Sequence, residues 1–93
     1  MEITIKELQE KSYSFVFNGR GCSGTIRIGM IGNSAFSIDD LGNSVFAKRN
    51  ITSDEELREF VDVEHLMDND GVEEEPALKF DDLSGYDIEE IED

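Results

Sequence analysis

In three segments between Tyr13 and Ile38 apolar side chains return at every second position, and that spacing confines this part of the chain to a sheet. Tyr13, Phe15 and Phe17 alternate with Ser14, Val16 and Asn18. Ile26, Ile28 and Met30 alternate with Arg27 and Gly29, and Phe36 and Ile38 flank Ser37. Residues 18–24 and 32–34 link these runs and are rich in Gly, Asn and Ser. Such short links join antiparallel neighbours. Gly42-Asn43-Ser44 marks a further turn, and Val45-Phe46-Ala47 reads as a short fourth strand or as the approach to a helix.

Helix signals bracket this region. Thr4 and Glu7 have the spacing of a capping box, and Ile3 and Leu8 that of a hydrophobic staple. Lys6–Glu10 and Glu7–Lys11 add pairs at helical spacing. A helix over residues 5–11 is expected; the competing reading is an edge strand through Ile3 and Ile5. Ser53 and Glu56 repeat the capping pattern, with Asp54, Glu55 and Glu56 at the positive end of the dipole and Leu57, Phe60 and Val61 as the apolar stripe. Leu66 or Met67 extends this second helix, and Asp68-Asn69-Asp70-Gly71 stops it. The expected fold is α+β: a short N-terminal helix, a three- to four-stranded antiparallel sheet, one helix packed on it, and an acidic C-terminal segment. Residues 1–67 form the domain, and residues 68–93 pack on it or serve for docking. Phe15, Phe17, Phe36, Phe46 and Phe60 are the expected core aromatics.

Charge divides the chain in the same way. Residues 1–52 carry six basic and five acidic side chains, a net of +1, whereas residues 53–93 carry 18 acidic and two basic ones, a net of −16, which together give −15. Such a chain is repelled by nucleic-acid phosphates and by anionic membranes. The apolar runs are too short to span a bilayer, and the acidic, amphipathic start does not read as a signal peptide. A single cysteine forms no internal disulfide, so a reducing, cytoplasmic setting is expected.

The C-terminal segment holds one pattern twice. Residues 78–83 (LKFDDL) and 86–91 (YDIEEI) both read apolar, any, apolar, acid, acid, apolar, joined by Ser84-Gly85. A hairpin, short amphipathic helices and extended docking motifs all satisfy it. Aromatics placed among charges are satellite core or interface anchors. The candidate partner-binding residues are therefore Asp68, Asp70, Glu73, Glu74, Glu75, Phe80, Asp81, Asp82, Tyr86, Asp87, Glu89 and Glu90. Asp81, Asp82, Glu89 and Glu90 are the natural targets for charge reversal.

No motif carries catalysis, and no metal or cofactor is expected. With Gly71 in the turn position of an EF-hand, Leu66 and Ala77 would stand where carboxylates are required. The glycines at 19, 21 and 24 are followed by a strand, whereas a phosphate-binding loop needs a helix there. Cys22 beside Arg20 lacks a base, because the only histidine, His65, belongs to another element.

Acidity, small size and order of elements together resemble small phage-encoded inhibitors of bacterial defence, the anti-CRISPR type. The likeness covers residues 4–11, 13–17, 25–31, 35–38 and 53–67. The resemblance implies a stoichiometric inhibitor of a DNA-targeting nuclease; it transfers no functional residue. Three readings follow. One is an acidic inhibitor that places carboxylates where phosphates lie on a basic partner such as a nuclease or RNA-guided effector, acting as monomer or dimer without binding nucleic acid itself. The second is a regulatory or assembly module whose acidic-hydrophobic tail docks on a protein. The third is an enzyme of unrecognised type. Acidity serving solubility alone is the plainest account of the charge.

Overall fold

The computed structural model describes residues 3–19, 22–40, 43–61 and 72–91. The N-terminal segment is a helix: α1 spans Ile5–Glu10, and the Thr4 hydroxyl accepts the Glu7 N–H at 3.1 Å. Ile3 and Leu8, the staple pair, are both fully buried. Lys11 turns extended, and β1 (Lys11–Gly19) begins without a linker. β2 (Cys22–Ile31), β3 (Ser34–Asp39) and β4 (Ser44–Lys48) follow as antiparallel neighbours. Gly32, at φ +62°, supplies the left-handed residue of the two-residue turn between β2 and β3. α2 (Asp54–Phe60) starts as expected, with the Ser53 hydroxyl accepting the Glu56 N–H at 3.2 Å. Asp54 also accepts the Ile5 N–H at 2.8 Å, so the second helix satisfies an orphan donor of the first. The proposed extension through Leu66 and Met67, and the stop at Asp68–Gly71, lie outside the described residues, as do His65 and the side chains of Phe17 and Cys22.

The register sorts the side chains by face. Tyr13 opposite Ile28, Phe15 opposite Ile26 and Met30 opposite Ala35 share one face, and Leu8 and Leu57 of the helices close over it with Ile3, Ile51 and Val61. The β2–β3 turn places Phe36 opposite Gly29 and Ile38 opposite Arg27, on the other face. Both faces are therefore apolar, and each needs a cover.

The acidic segment is the second cover, and here the sheet departs from the three or four antiparallel strands expected. Among the described residues it has six strands in the order β5-β1-β2-β3-β4-β6. β5 (Glu73–Pro76) pairs antiparallel with β1 at one edge, and β6 (Asp87–Glu90) pairs parallel with β4 at the other. Residues 77–86 cross the face between them as a strap that contains a 3-10 helix, Phe80–Leu83. Leu78 and Leu83 of the strap are buried with Phe36, Ile38, Val45 and Ala47. The physical reason for the extra strands is the unpartnered second face: without the strap its side chains would meet water, at a cost of roughly 25 cal/mol per Å². Ser84-Gly85 is accordingly no hairpin. The two copies of the repeat fold differently, the first into the strap and the second into β6.

One core expectation also needs correcting. Phe15 and Phe36 are buried and Phe60 packs against the helix-side cluster, but Phe46 is 37% exposed. Its neighbours Val45 and Ala47 point into the strap-side cluster, so alternation sends Phe46 to the opposite face, beside Ser37 and Glu89.

Tyr13 gives this core a pH limit. Its hydroxyl donates to Glu7 at 2.5 Å. Burial first, and then the bond to the Glu7 carboxylate, push its phenol above the ordinary 10.0, against the opposing effect of Lys11. An unfolded tyrosine releases its proton near that ordinary value while the native one retains it. The native state then binds more protons, and stability falls as pH rises. The Lys11 ammonium, raised chiefly by its bond to Glu74, acts in the same direction. Urea unfolding should show full stability below about pH 10 and a decline above it, with a shallower decline in Tyr13→Phe. Equal alkaline slopes in the two proteins would show that Tyr13 does not set this limit.

Candidate protein-binding face

The strap is held by a polar node at its entry. The Pro76 carbonyl accepts from the Ser12 hydroxyl at 2.7 Å and from an Arg27 N–H at 2.8 Å, and Arg27 Nε donates to the same Ser12 oxygen at 2.8 Å. Ser12 is fully buried and its hydroxyl is satisfied in both directions. Arg27 also reaches forward to Asp82, at 3.7 Å. The second Asp82 oxygen accepts the Lys79 N–H at 2.9 Å, which caps the 3-10 helix. Charge-assisted bonds of this kind are about twice as strong as neutral ones. The node therefore fixes the acidic segment in place.

Register then decides which acids stand together. Glu73 and Glu75 lie opposite Ser14 and Ser12, on the strap face, and Glu90 lies there opposite Ala47. Asp81 and Asp82 sit on the 3-10 helix between them. Phe80, 72% exposed, and Ile88, 49% exposed, stand among these carboxylates. Glu74, Asp87 and Glu89 face the opposite way, with Tyr13, Ser44 and Phe46. The two edges are separated by five strand spacings, about 24 Å. Asp68 and Asp70 lie outside the described residues.

The acids also differ in how far they are committed within the fold. Glu74 pairs with Lys11 at 2.9 Å, Glu90 with Arg49, and Glu75 accepts weakly from Ser14 at 3.4 Å. Among the described residues no cation pairs with Glu73, Asp81, Asp87 or Glu89.

Beside the strap lies a cleft of about 170 Å³, lined by Thr25, Arg27, Ile38, Asp40, Asp82 and Tyr86. Ile38 is its buried apolar floor and Tyr86 packs against the same cluster. Asp40 is fixed by the Thr25 N–H, which donates to its carboxylate at 2.6 Å, while its own N–H returns to the Thr25 carbonyl at 3.1 Å. The sequence assigned Asp82 and Tyr86 to a partner surface but missed Thr25, Arg27 and Asp40. The available signal was parity: Arg27 and Asp40 fall in phase with Phe36 and Ile38 once the β2–β3 turn is counted.

Among the described residues no group of three or more His, Cys, Asp or Glu side chains is arranged to hold a metal ion. No helix among them is long and apolar enough to cross a membrane. Comparison of the chain with protein-family models, with characterised proteins and with solved structures gives no match.

Proposed function

We propose that this protein is a non-catalytic, cytoplasmic inhibitor that occupies a basic nucleic-acid-binding surface of a DNA- or RNA-acting enzyme, in the manner of anti-CRISPR or immunity-type proteins. The observation that carries the reading is the placement of Asp81 and Asp82 on a 3-10 helix of a strap whose two leucines, Leu78 and Leu83, are already buried. A solubility tail has no need of a packed, ordered backbone beneath its carboxylates. Here acids from both sheet edges and from the strap share one face with an exposed phenylalanine. Preorganised charge steers association, and ordering it in advance lowers the entropic cost of binding. Phe80 supplies an apolar anchor of the type that slows dissociation.

The docking-module reading fits less well, because Leu78 and Leu83 are spent inside the fold. It keeps Phe80 and Ile88 as its contacts. The two readings separate by salt. The immobilised protein should retain a basic nucleic-acid enzyme from a bacterial lysate at low salt, and release it as salt rises or duplex DNA is added. Retention that ignores both salt and DNA would overturn the phosphate-mimic reading in favour of apolar docking.

A further inference from the structure

We infer that the cleft between Asp40 and Tyr86 receives an arginine side chain of the basic partner; this rests on the function proposed above and names its anchor. The first ground is size. About 170 Å³ is the room of roughly five or six waters, below the several hundred Å³ of a site for a whole small-molecule ligand. The space suits one side-chain end group. The second is charge. Arg27 and Asp82 offset one another across the cleft wall at 3.7 Å, and Arg27 is further committed to Ser12 and Pro76. Asp40 is left over. One carboxylate oxygen takes the Thr25 N–H, and among the described residues the other has no partner. The site therefore carries one uncompensated negative charge, which rejects an anion and attracts a cation.

The third ground is the chemistry of the walls. A guanidinium is planar, offers five donors, and stacks on aromatic faces while its methylene stem covers apolar surface. The cleft offers the Asp40 carboxylate as acceptor, the Tyr86 ring as a face and Ile38 as a floor. The Thr25 and Tyr86 hydroxyls, which have no hydrogen-bond partner among the described residues, are further acceptors. An ammonium ion satisfies the charge but not the flat face, so arginine is favoured over lysine. Because Thr25, Arg27, Ile38 and Asp40 share the strap face, an arginine seated here aligns the partner with Asp81 and Phe80.

The test uses the full chain with acetylated hexa-arginine amide and its hexalysine counterpart as probes. Binding is followed by amide chemical shifts and by calorimetry. Expected are shifts centred on Thr25, Asp40 and Tyr86, tighter binding of the arginine peptide, and a loss of about tenfold in Asp40→Asn. The side-chain amide of that variant keeps an oxygen for the Thr25 N–H, so the fold is retained. Asp87→Asn, the same charge change on the opposite face, should cost less than about twofold. Peptide binding that maps to β5 and β6, with the two variants equal, overturns the cleft and leaves the proposed function standing. Equal binding of both peptides overturns the guanidinium assignment. Absence of binding by either peptide overturns the cleft and the basic-partner reading together.

Discussion

Replacing Gly29 by valine is expected to unseat the C-terminal strap and to lower stability by about 3 kcal/mol, the upper part of the range for overpacked cores. A Cβ at position 29 would lie 2.7 Å from Leu78 Cγ, 2.8 Å from its Cδ1 and 3.1 Å from Ser12 Cβ. Leu78 has little room to retreat, since it is buried against the sheet. Ser12 is equally fixed, being part of the node that holds Pro76. One effect runs the other way: valine is a better strand residue than glycine, by up to about 1 kcal/mol. The steric term is the larger and sets the sign. At roughly 4–8 °C per kcal/mol for a domain of this size, the midpoint of thermal unfolding should drop by roughly 12–24 °C or less if the propensity gain is fully realised. Hydrogen exchange locates the damage. The Ile91 N–H, bonded to the Ala47 carbonyl at 2.7 Å, should lose protection before the amides shared by β1 and β2. Wild-type melting with unchanged exchange at Ile91 would mean that the strap does not rest on Gly29.

Much of the helix-side half of this fold was legible in the chain. Thr4 and Ser53 announce their helices through local hydrogen bonds, which a sequence displays directly. The alternation of Tyr13, Phe15, Ile26, Ile28 and Met30 names the face those helices cover. What stayed hidden was the relation between β2 and β3. Each has one apolar set, but the two-residue turn pairs Gly29 with Phe36, so those sets point to opposite sides. Counting through that turn would have exposed a second apolar face in need of a cover. The strap residues Leu78 and Leu83 are the matching apolar pair, separated from that face by about 30 to 50 positions along the chain. Long-range pairing of this kind leaves no local periodicity to read. Acidity obscured it further, because a segment reading EEEP followed by DDL resembles a solvated tail. Both edges of the sheet are in fact acidic strands, and edge-to-edge approach of two copies sets carboxylate against carboxylate.

The candidate site divides in the same manner. The sequence supplied acidic and aromatic candidates, and register decides which of them share a face. Asp82 and Glu90, attractive as reversal targets in one dimension, are tied to Arg27 and Arg49. Reversing them would remove an internal ion pair and a surface charge at once, so the two effects could not be separated. Glu89 turns to the helix side.

A face-specific reversal avoids that confusion. Glu73→Lys, Glu75→Lys and Asp81→Lys together are expected to weaken capture of the basic partner by about 100-fold at low salt, mostly through slower association. The control is Asp87→Lys, Glu89→Lys and Glu59→Lys. Asp87 and Glu89 occupy the opposite face of β6, and Glu59 is exposed on α2. Each set moves the net charge from −15 to −9, so any effect of total charge is common to both. Only the first set removes carboxylates that share a face with Phe80 and the cleft. The expected result is therefore a large loss in the first variant, a loss of less than about tenfold in the second, and circular dichroism unchanged in both. Raising the salt to about 0.5 M should bring the wild type toward the first variant, because the steering field is screened over a few Å. Equal losses in the two variants would mean that bulk charge, and no particular face, attracts the partner. Unchanged binding in the first variant, with the fold intact, would assign the carboxylates to solubility and leave Phe80 and Ile88 as the residues to remove next.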